Sequence, residues 1–147
     1  MWRVMEILYS LKLPRDTATV PLVRTLCRDA MTRLGVTSSC RGDVALALTE
    51  ACANVVRHAA GVTEYTVTVE LGPEHCHIRV IDDGEGLGDT AVLAEMPDPD
   101  DDSGRGIALM SLLVDNVDFT SRPEDGTVVH LEKHLELEEG SLLRALA

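Results

Sequence analysis

Apolar side chains recur with the period of a helix in the stretch from Asp43 to Ala60. The apolar positions of this stretch are Val44, Leu48, Ala51 and Val55. This spacing predicts an amphipathic helix with one buried face. The other face carries polar side chains at i, i+4 and i+8, with an arginine next to the last of them. These polar residues are Glu50, Asn54, Arg57 and His58.

The polar face of this helix allows three interpretations. Side chains four residues apart lie one above the other, so the carboxylate of Glu50 and the carboxamide of Asn54 point into the same space. Two such oxygen ligands suit a hard, hydrated cation such as Mg²⁺. A carboxylate there also suits a base beside a phosphoryl acceptor. A solvated helix face is the third interpretation.

The rest of the pattern predicts five strands and two more helices, as alternation and turn residues mark them. The predicted strands span residues 4–13, 64–71, 75–81, 116–122 and 127–135. The two helices span residues 20–34 and 107–114. Loops are expected at 38–42, at 82–88 and over the acidic, proline-containing stretch 89–103. The acidic C-terminal tail, 136–147, is expected to form a short helix or to fray.

The order of these elements is β-α-α-β-β-loop-α-β-β. Hairpins make most strand pairs antiparallel, and the helices are expected to cover one face of the sheet. We therefore predict an α+β fold, a two-layer α/β sandwich with a mixed, mostly antiparallel sheet. The 147 residues are predicted to form a single domain with a core over about residues 4–135.

Composition and charge restrict the possible partners. The formal net charge is −12, from 25 acidic and 13 basic residues, which argues against direct nucleic-acid binding. There is no apolar run long enough for a membrane span and no signal-peptide pattern, so we expect a cytoplasmic protein without membrane contact. The four scattered cysteines show neither CxxC nor zinc-ligand spacing, which favours free thiols in a reducing compartment.

Two glycine sites flank the acidic loop. Asp82-Asp83-Gly84-Glu85-Gly86 allows a ligand to approach the backbone closely. Gly104-Arg105-Gly106 begins a helix, where free N–H groups and the helix dipole favour an anion such as phosphate. Neither site has the spacing of a Walker A loop or of a Rossmann fingerprint.

Taken together, these residues resemble the GHKL (Bergerat-fold) ATP-binding family, and within it the bacterial anti-sigma-factor serine kinases. The N box of the family is similar to Glu50-x-x-x-Asn54-x-x-Arg57-His58-Ala59. Its adenine-binding box is similar to the segment from Val80 to Gly86, and its second glycine box to the segment from Gly104 to Met110. A late Gly126-Thr127 also fits, so the resemblance covers about residues 4–135.

The resemblance implies a role for each matching residue. Asn54 would hold Mg²⁺, with Glu50 contacting it through water, and Glu50 would be the catalytic base. Asp82 would bind the adenine amino group near Thr127, and residues 88–103 would form an ATP lid. The remaining residues implied in ATP binding are Arg57, Gly84, Gly86, Gly104, Arg105, Gly106 and Ile107.

The resemblance also implies a function, with ATP and Mg²⁺ as cofactors. The chain would be an anti-sigma factor serine/threonine-protein kinase that phosphorylates a small anti-anti-sigma protein and sequesters a sigma factor by partner switching. It would be a homodimer with residues 1–35 near the contact. The alternative is a nucleotide-binding anti-sigma protein with little or no kinase activity. The catalytic domain of a sensor histidine kinase is disfavoured, because no helix pair with a phospho-accepting histidine precedes the first strand.

Overall fold

The computed structural model describes residues 5–58, 63–82, 102–122 and 126–145 of the chain. The strands are β1 (Ile7–Pro14), β2 (Glu64–Leu71), β3 (His75–Asp82), β4 (Asn116–Arg122) and β5 (Gly126–His134). The helices are α1 (Thr19–Arg33), α2 (Ser38–His58), α3 (Asp102–Leu113) and α4 (Leu142–Ala145). Within these ranges, every helix is too short or too polar to cross a lipid bilayer.

The five strands form one sheet in the order β1-β2-β3-β5-β4. All four pairings between these strands are antiparallel. The predicted α+β class is therefore confirmed, and the described sheet is wholly antiparallel rather than mixed. Its middle strand, β3, pairs through Val80 with Val67 of β2 and with Val129 of β5.

In the described part of the chain, the helices cover one face of the sheet. In β2, the side chains of Tyr65, Val67, Val69 and Leu71 are fully buried, while those between them are half-buried or exposed. This period-2 burial is typical of an antiparallel sheet with one covered face. The other face is open and carries polar side chains.

The start of α2 differs from the prediction. Ser38, Ser39 and Gly42 were expected in a loop, but they lie in the first turns of the helix. Thr37 precedes the helix, and its hydroxyl oxygen accepts a hydrogen bond from the N–H of Cys40 at 3.4 Å. A threonine at this position satisfies an N–H group that has no partner inside the helix. The helix therefore begins about five residues before the first residue predicted to be helical.

Two boundaries near the glycine sites also differ from the prediction. Asp82 was expected in a loop, but it is the last residue of β3 and is in register with Tyr65 of β2. Asp102 and Ser103 were expected in the loop before α3, but they belong to its first turn. The strand therefore extends one residue beyond its predicted end, and the helix begins five residues before the first residue of its apolar pattern.

Helix α2 packs between α1 and α3 on the covered face. Its last turn is tied to the segment after β1, because Nε of Arg15 donates a hydrogen bond to the carbonyl oxygen of Val56 at 2.9 Å. A cation at this end also complements the helix dipole. The helix with the polar stripe is therefore held on both sides and at its C-terminal end.

The C-terminal segment packs against the connection between α1 and α2. Of the two predicted alternatives, the structure shows a short helix, α4. The hydroxyl of Ser141 donates a hydrogen bond to the carbonyl oxygen of Leu34, and Leu143 is fully buried in the core. The N–H of Glu138 donates to the carbonyl oxygen of Gly35 at 2.7 Å. This segment therefore contributes to the core rather than fraying from it.

All four cysteines are free and buried. Burial raises the pKa of the Cys27 thiol to about 11 and that of Cys52 to about 12. Burial also raises the pKa of Cys76 well above its ordinary value. These thiols stay protonated near neutral pH and act as small apolar side chains of the core.

Two glycines of the α1–α2 region are expected to respond in opposite directions to alanine. Gly35 has φ +79°, and a Cβ there would lie 3.0 Å from Cα of Ser141, so Gly35→Ala should lower the free energy of unfolding by about 1–3 kcal/mol. Gly42 lies inside α2, and a Cβ there meets nothing within 4 Å, so Gly42→Ala should raise it by about 0.5–1 kcal/mol. Urea unfolding followed by circular dichroism measures both changes, and a Gly35→Ala variant as stable as the parent would contradict the packing described for the C-terminal segment.

Candidate functional site

The predicted polar stripe of α2 faces the first turns of α3. A Cβ added at Gly106 would lie 3.0 Å from Oε2 of Glu50 and 3.5 Å from Oδ1 of Asn54. Gly106 itself is buried. A Cβ at this position would crowd the Glu50 carboxylate and be in contact with Asn54, so glycine leaves room between α3 and the two polar groups. The structure therefore brings Glu50, Asn54 and Gly106 together, as the sequence pattern predicts.

Asn54 has an unsatisfied acceptor at this contact. Its Oδ1 is buried, and within the described part of the chain no donor hydrogen-bonds to it. An unpaired buried acceptor costs about 1–3 kcal/mol, so such groups are uncommon in cores and cluster at functional sites. A cation or a donor from a ligand would satisfy this oxygen. Together with the Glu50 carboxylate it forms an oxygen donor set that fits Mg²⁺, which binds few protein ligands and keeps several waters.

The N-terminal turns of α3 contain the second glycine site. Gly104, Arg105 and Gly106 all lie within α3, and the side chain of Arg105 is exposed. Ile107 is partly buried and packs against the core, which anchors this end of the helix. The first N–H groups of a helix have no intrahelical partners and, with the helix dipole, favour an anion. The N-terminal turns of α3, where an anion would be favoured, therefore adjoin the oxygen donors of α2.

Asp82 lies at the end of β3 on the covered face and is only 6% exposed. Its Oδ1 accepts a hydrogen bond from the N–H of Thr127 at 3.2 Å. A carboxylate has about four acceptor positions, so it can bind further donors. The structure therefore places Asp82 and Thr127 side by side, as the sequence predicts.

Gly126 makes this contact possible, although its role was missed in the choice of site residues. It has φ +76°, and a Cβ there would lie 1.9 Å from the carbonyl oxygen of Asp82. Any other residue would push β5 away from the end of β3. A glycine directly before a β-branched strand residue is the only local signal for this role, and it does not reveal which segment lies opposite.

The other predicted site residues are only partly described. Arg57 is exposed, and its Nε donates to the carbonyl oxygen of Ala53 at 3.4 Å. Gly84, Gly86 and the predicted lid from residue 88 to residue 101 lie outside the described residues. The roles of all these residues therefore remain predictions.

Residues 13–133 match the histidine kinase-like ATPase domain. The chain belongs to this family. The resemblance to GHKL proteins that the motifs predict is thereby confirmed, and the family as a class is built around a nucleotide site.

Relatives in this family include named bacterial regulators. The chain is 24% identical over 139 residues to the serine-protein kinase RsbW of Bacillus mycoides (strain KBAB4), covering 88% of this chain and 86% of the relative. It is 26% identical over 140 residues to RsbW of Bacillus cereus (strain ATCC 10987 / NRS 248), with the same coverage. It is also 29% identical over 101 residues to the anti-sigma F factor of Bacillus licheniformis, covering 63% of this chain and 68% of the relative.

Solved structures of the family share the fold. The crystal structure of the RsbU and RsbW domains of Rv1364c from Mycobacterium tuberculosis superposes with a TM-score of 0.68 at 19% identity. That match covers 88% of this chain and only 32% of the other. The histidine kinase domain of the blue-light activated histidine kinase from Erythrobacter litoralis EL346 gives a TM-score of 0.50 at 17% identity, covering 83% of this chain and 61% of the other. At these identities the likeness concerns the fold alone.

The glycine at the α2–α3 contact gives a test of the site. A methyl group at Gly106 would displace the Glu50 carboxylate slightly and fill space beside the Asn54 oxygen, so Gly106→Ala should weaken ADP binding by roughly tenfold or more. Its stability should change little, because alanine is favoured in a helix by about 1 kcal/mol. Calorimetric titration with ADP, with thermal unfolding of the same samples, measures both. Gly42→Ala is the matched control, and equal ADP affinity of all three proteins would contradict the site.

Proposed function

We propose that this protein is an ATP- and Mg²⁺-dependent anti-sigma factor serine-protein kinase of the cytoplasm. It would phosphorylate a small anti-anti-sigma protein and sequester a sigma factor by partner switching. The observation that carries the proposal is the contact between Glu50, Asn54 and Gly106, with a buried Asn54 oxygen that lacks a described partner, in a chain of the histidine kinase-like ATPase family. The names of the relatives, serine-protein kinase and anti-sigma factor, support the same class.

The nucleotide would bind between the end of β3 and the start of α3. Asp82 would accept a hydrogen bond from the adenine amino group, while its other contact to the N–H of Thr127 keeps the carboxylate in place. Gly84 and Gly86 would allow the chain to pass close to the nucleotide. This assignment is supported by the burial of Asp82, because a buried carboxylate forms strong hydrogen bonds with amino donors.

The phosphates would bind at the N-terminal end of α3, near Gly104, Arg105 and Gly106. Asn54 would hold Mg²⁺, with Glu50 contacting it through water. Mg²⁺ supplies neutralisation of phosphate charge, which a protein of net charge −12 needs for a polyanionic ligand. Arg57 would provide a further charge-assisted donor to phosphate.

Glu50 would act as the general base. Its carboxylate would take the proton of a serine hydroxyl on the partner protein as that oxygen forms a bond to the γ-phosphorus of ATP. The bond between the γ-phosphorus and the bridging oxygen would break, and ADP would leave with that oxygen. The half-buried position of Glu50 beside Gly106 supports this role, because the base lies next to the predicted phosphate site.

A homodimer with its contact near residues 1–35 is also part of the proposal. Three leucines in this region have exposed side chains: Leu8 of β1 at 67%, and Leu22 and Leu26 of α1 at 50% and 40%. Leu22 and Leu26 lie one turn apart on α1 and together support a protein contact there, whereas Leu8 adds an exposed apolar side chain on the open face of the sheet. The sigma factor and the anti-anti-sigma protein would bind to the same dimer.

The alternative is a nucleotide-binding anti-sigma protein with little or no kinase activity. The acidic stretch before α3, Asp98-Pro99-Asp100-Asp101-Asp102, favours this alternative, because a lid of that charge would repel phosphates on closing. Phosphotransfer to an anti-anti-sigma protein distinguishes the two functions, since both require nucleotide binding but only one transfers phosphate.

Nucleotide binding is expected to depend on Mg²⁺ and on two side chains. ADP should bind the parent chain more tightly with Mg²⁺ than with EDTA, and Asn54→Ala should remove that difference. Asp82→Asn keeps the side-chain shape but replaces one acceptor by a donor, so it should weaken ADP binding about 10- to 100-fold. Calorimetric titration with ADP measures these changes, with Asp118→Asn on the open sheet face as the matched control. ADP binding that is independent of both Mg²⁺ and Asn54 would refute the metal assignment.

Glu50 is expected to matter for transfer and not for binding. Glu50→Gln retains the size of the side chain but cannot take a proton, so phosphotransfer should fall about 10²- to 10⁴-fold. Transfer from radiolabelled ATP to a panel of purified anti-anti-sigma proteins gives the rate, and ADP titration gives the affinity. Unchanged transfer by Glu50→Gln would disprove the general-base role. A parent chain that binds ADP but labels no protein in the panel would favour the alternative function.

A further inference from the structure

The open face of the sheet carries four of the five histidines of the chain, away from the helices and the nucleotide site. His75 and His77 lie on β3, and His130 and His134 lie on the neighbouring strand β5. The rings of His77 and His130 are nearly parallel, with centroids 5.5 Å apart. Imidazole is a common ligand of divalent transition metals, so this cluster has a chemistry that the proposed kinase function does not use.

The spacing of two ring nitrogens matches that of a metal chelate. Nδ1 of His77 lies 3.3 Å from Nε2 of His130. Zinc–nitrogen bonds are about 2.0–2.1 Å, so two ligands of a tetrahedral zinc ion lie roughly 3.3–3.4 Å apart. The two nitrogens, which share a hydrogen bond in this structure, are therefore close enough to bind one ion, and both rings must turn so that their lone pairs point at the ion instead of at each other.

The other nitrogen of His130 faces a carboxylate. Its Nδ1 lies 3.9 Å from Oδ2 of Asp118, which is the cross-strand partner of His130 on β4. Asp118 is itself held by Asn116, whose Nδ2 donates to the same oxygen at 2.8 Å. A histidine ligand usually has its second nitrogen near a carboxylate, which orients the ring and makes it a better ligand. Asp118 would be a positioning residue of this kind.

The charges around the pair favour a cation. His77 lies in register between Glu70 of β2 and Glu132 of β5. Glu132 is also two residues from His130, so it borders both rings on the same face. Arg79 is in register with His130, and its positive charge disfavours a cation there. The pair is therefore surrounded by three carboxylates, those of Glu70, Glu132 and Asp118, and by one arginine. A pocket of about 270 Å³ adjoins His77, and three glutamates, Glu6, Glu70 and Glu74, contribute to its lining.

We propose that His77 and His130 bind a divalent transition-metal ion of the Zn²⁺ type, with Glu132 as the third ligand. Among the described residues, no three His, Cys, Asp or Glu side chains already surround one point, so Glu132 must rotate towards the pair. Water would complete the coordination. The site would discriminate against Mg²⁺, which prefers oxygen ligands. It is separate from the nucleotide site and does not rest on the proposed function.

Calorimetric titration of the untagged, EDTA-treated chain with ZnCl₂ tests this site. One ion should bind per chain, and His77→Ala and His130→Ala should each weaken binding by about tenfold or more. His134→Ala is the matched control, because His134 lies on the same strand and face, and its affinity should equal that of the parent. Thermal unfolding checks that each variant folds, and His77→Gln and His130→Gln replace any alanine variant that does not.

Two further variants separate ligand and positioning roles. Glu132→Gln should weaken Zn²⁺ binding about as much as loss of a histidine, and Asp118→Asn should weaken it less while leaving one ion bound per chain. ADP affinity in the presence of Mg²⁺ should be unchanged in all of these variants. A wrong assignment of the Zn²⁺ site is therefore distinguishable from a wrong assignment of the nucleotide site. Absence of Zn²⁺ binding to the parent chain would overturn the site. An equal loss in His134→Ala, or no loss in His77→Ala and His130→Ala, would also overturn it.

Discussion

The contact between α2 and α3 is the constraint on which the candidate site depends. Gly106 allows the N-terminal end of α3 to lie against Glu50 and Asn54, and a Cβ at that position would already touch the Glu50 carboxylate. The contact joins two unlike features, a pair of oxygen donors and a helix end with free N–H groups. Moving the helices apart would separate these features, even if every side chain of the site were kept.

The sheet supplies the second half of the site through its register. Asp82 ends β3 on the covered face, and Gly126 begins β5 opposite it with a positive φ. The ladder between β3 and β5 ends at the pair Ile81 and Val128, so this contact lies directly beside the last paired residues. Asp82 and Thr127 are 45 positions apart in the sequence, and strand pairing next to them brings them within hydrogen-bond distance.

The two faces of the sheet have different chemistry. The covered face supports a core of Val, Leu, Ala and Cys, with the oxygen donors and the buried carboxylate at its edge. The open face concentrates imidazoles and carboxylates, which suit a softer cation than Mg²⁺. A strand alternates between the faces residue by residue, so β3 contributes Asp82 to one site and His77 to the other without a contact between them. The family to which the chain belongs concerns the first site alone.

Local periodicity in the sequence determined the order and type of the elements, because each helix or strand depends on residues only a few positions apart. The motif residues also identified the family, because their types and spacing can be read directly from the sequence. Tertiary structure decided the contacts between distant segments, which the periodicity of the sequence does not specify. It set the unpaired oxygen of Asn54 and the 3.3 Å approach of His77 to His130. Those features depend on which segments become neighbours, and that is decided by register and packing between residues far apart in the chain.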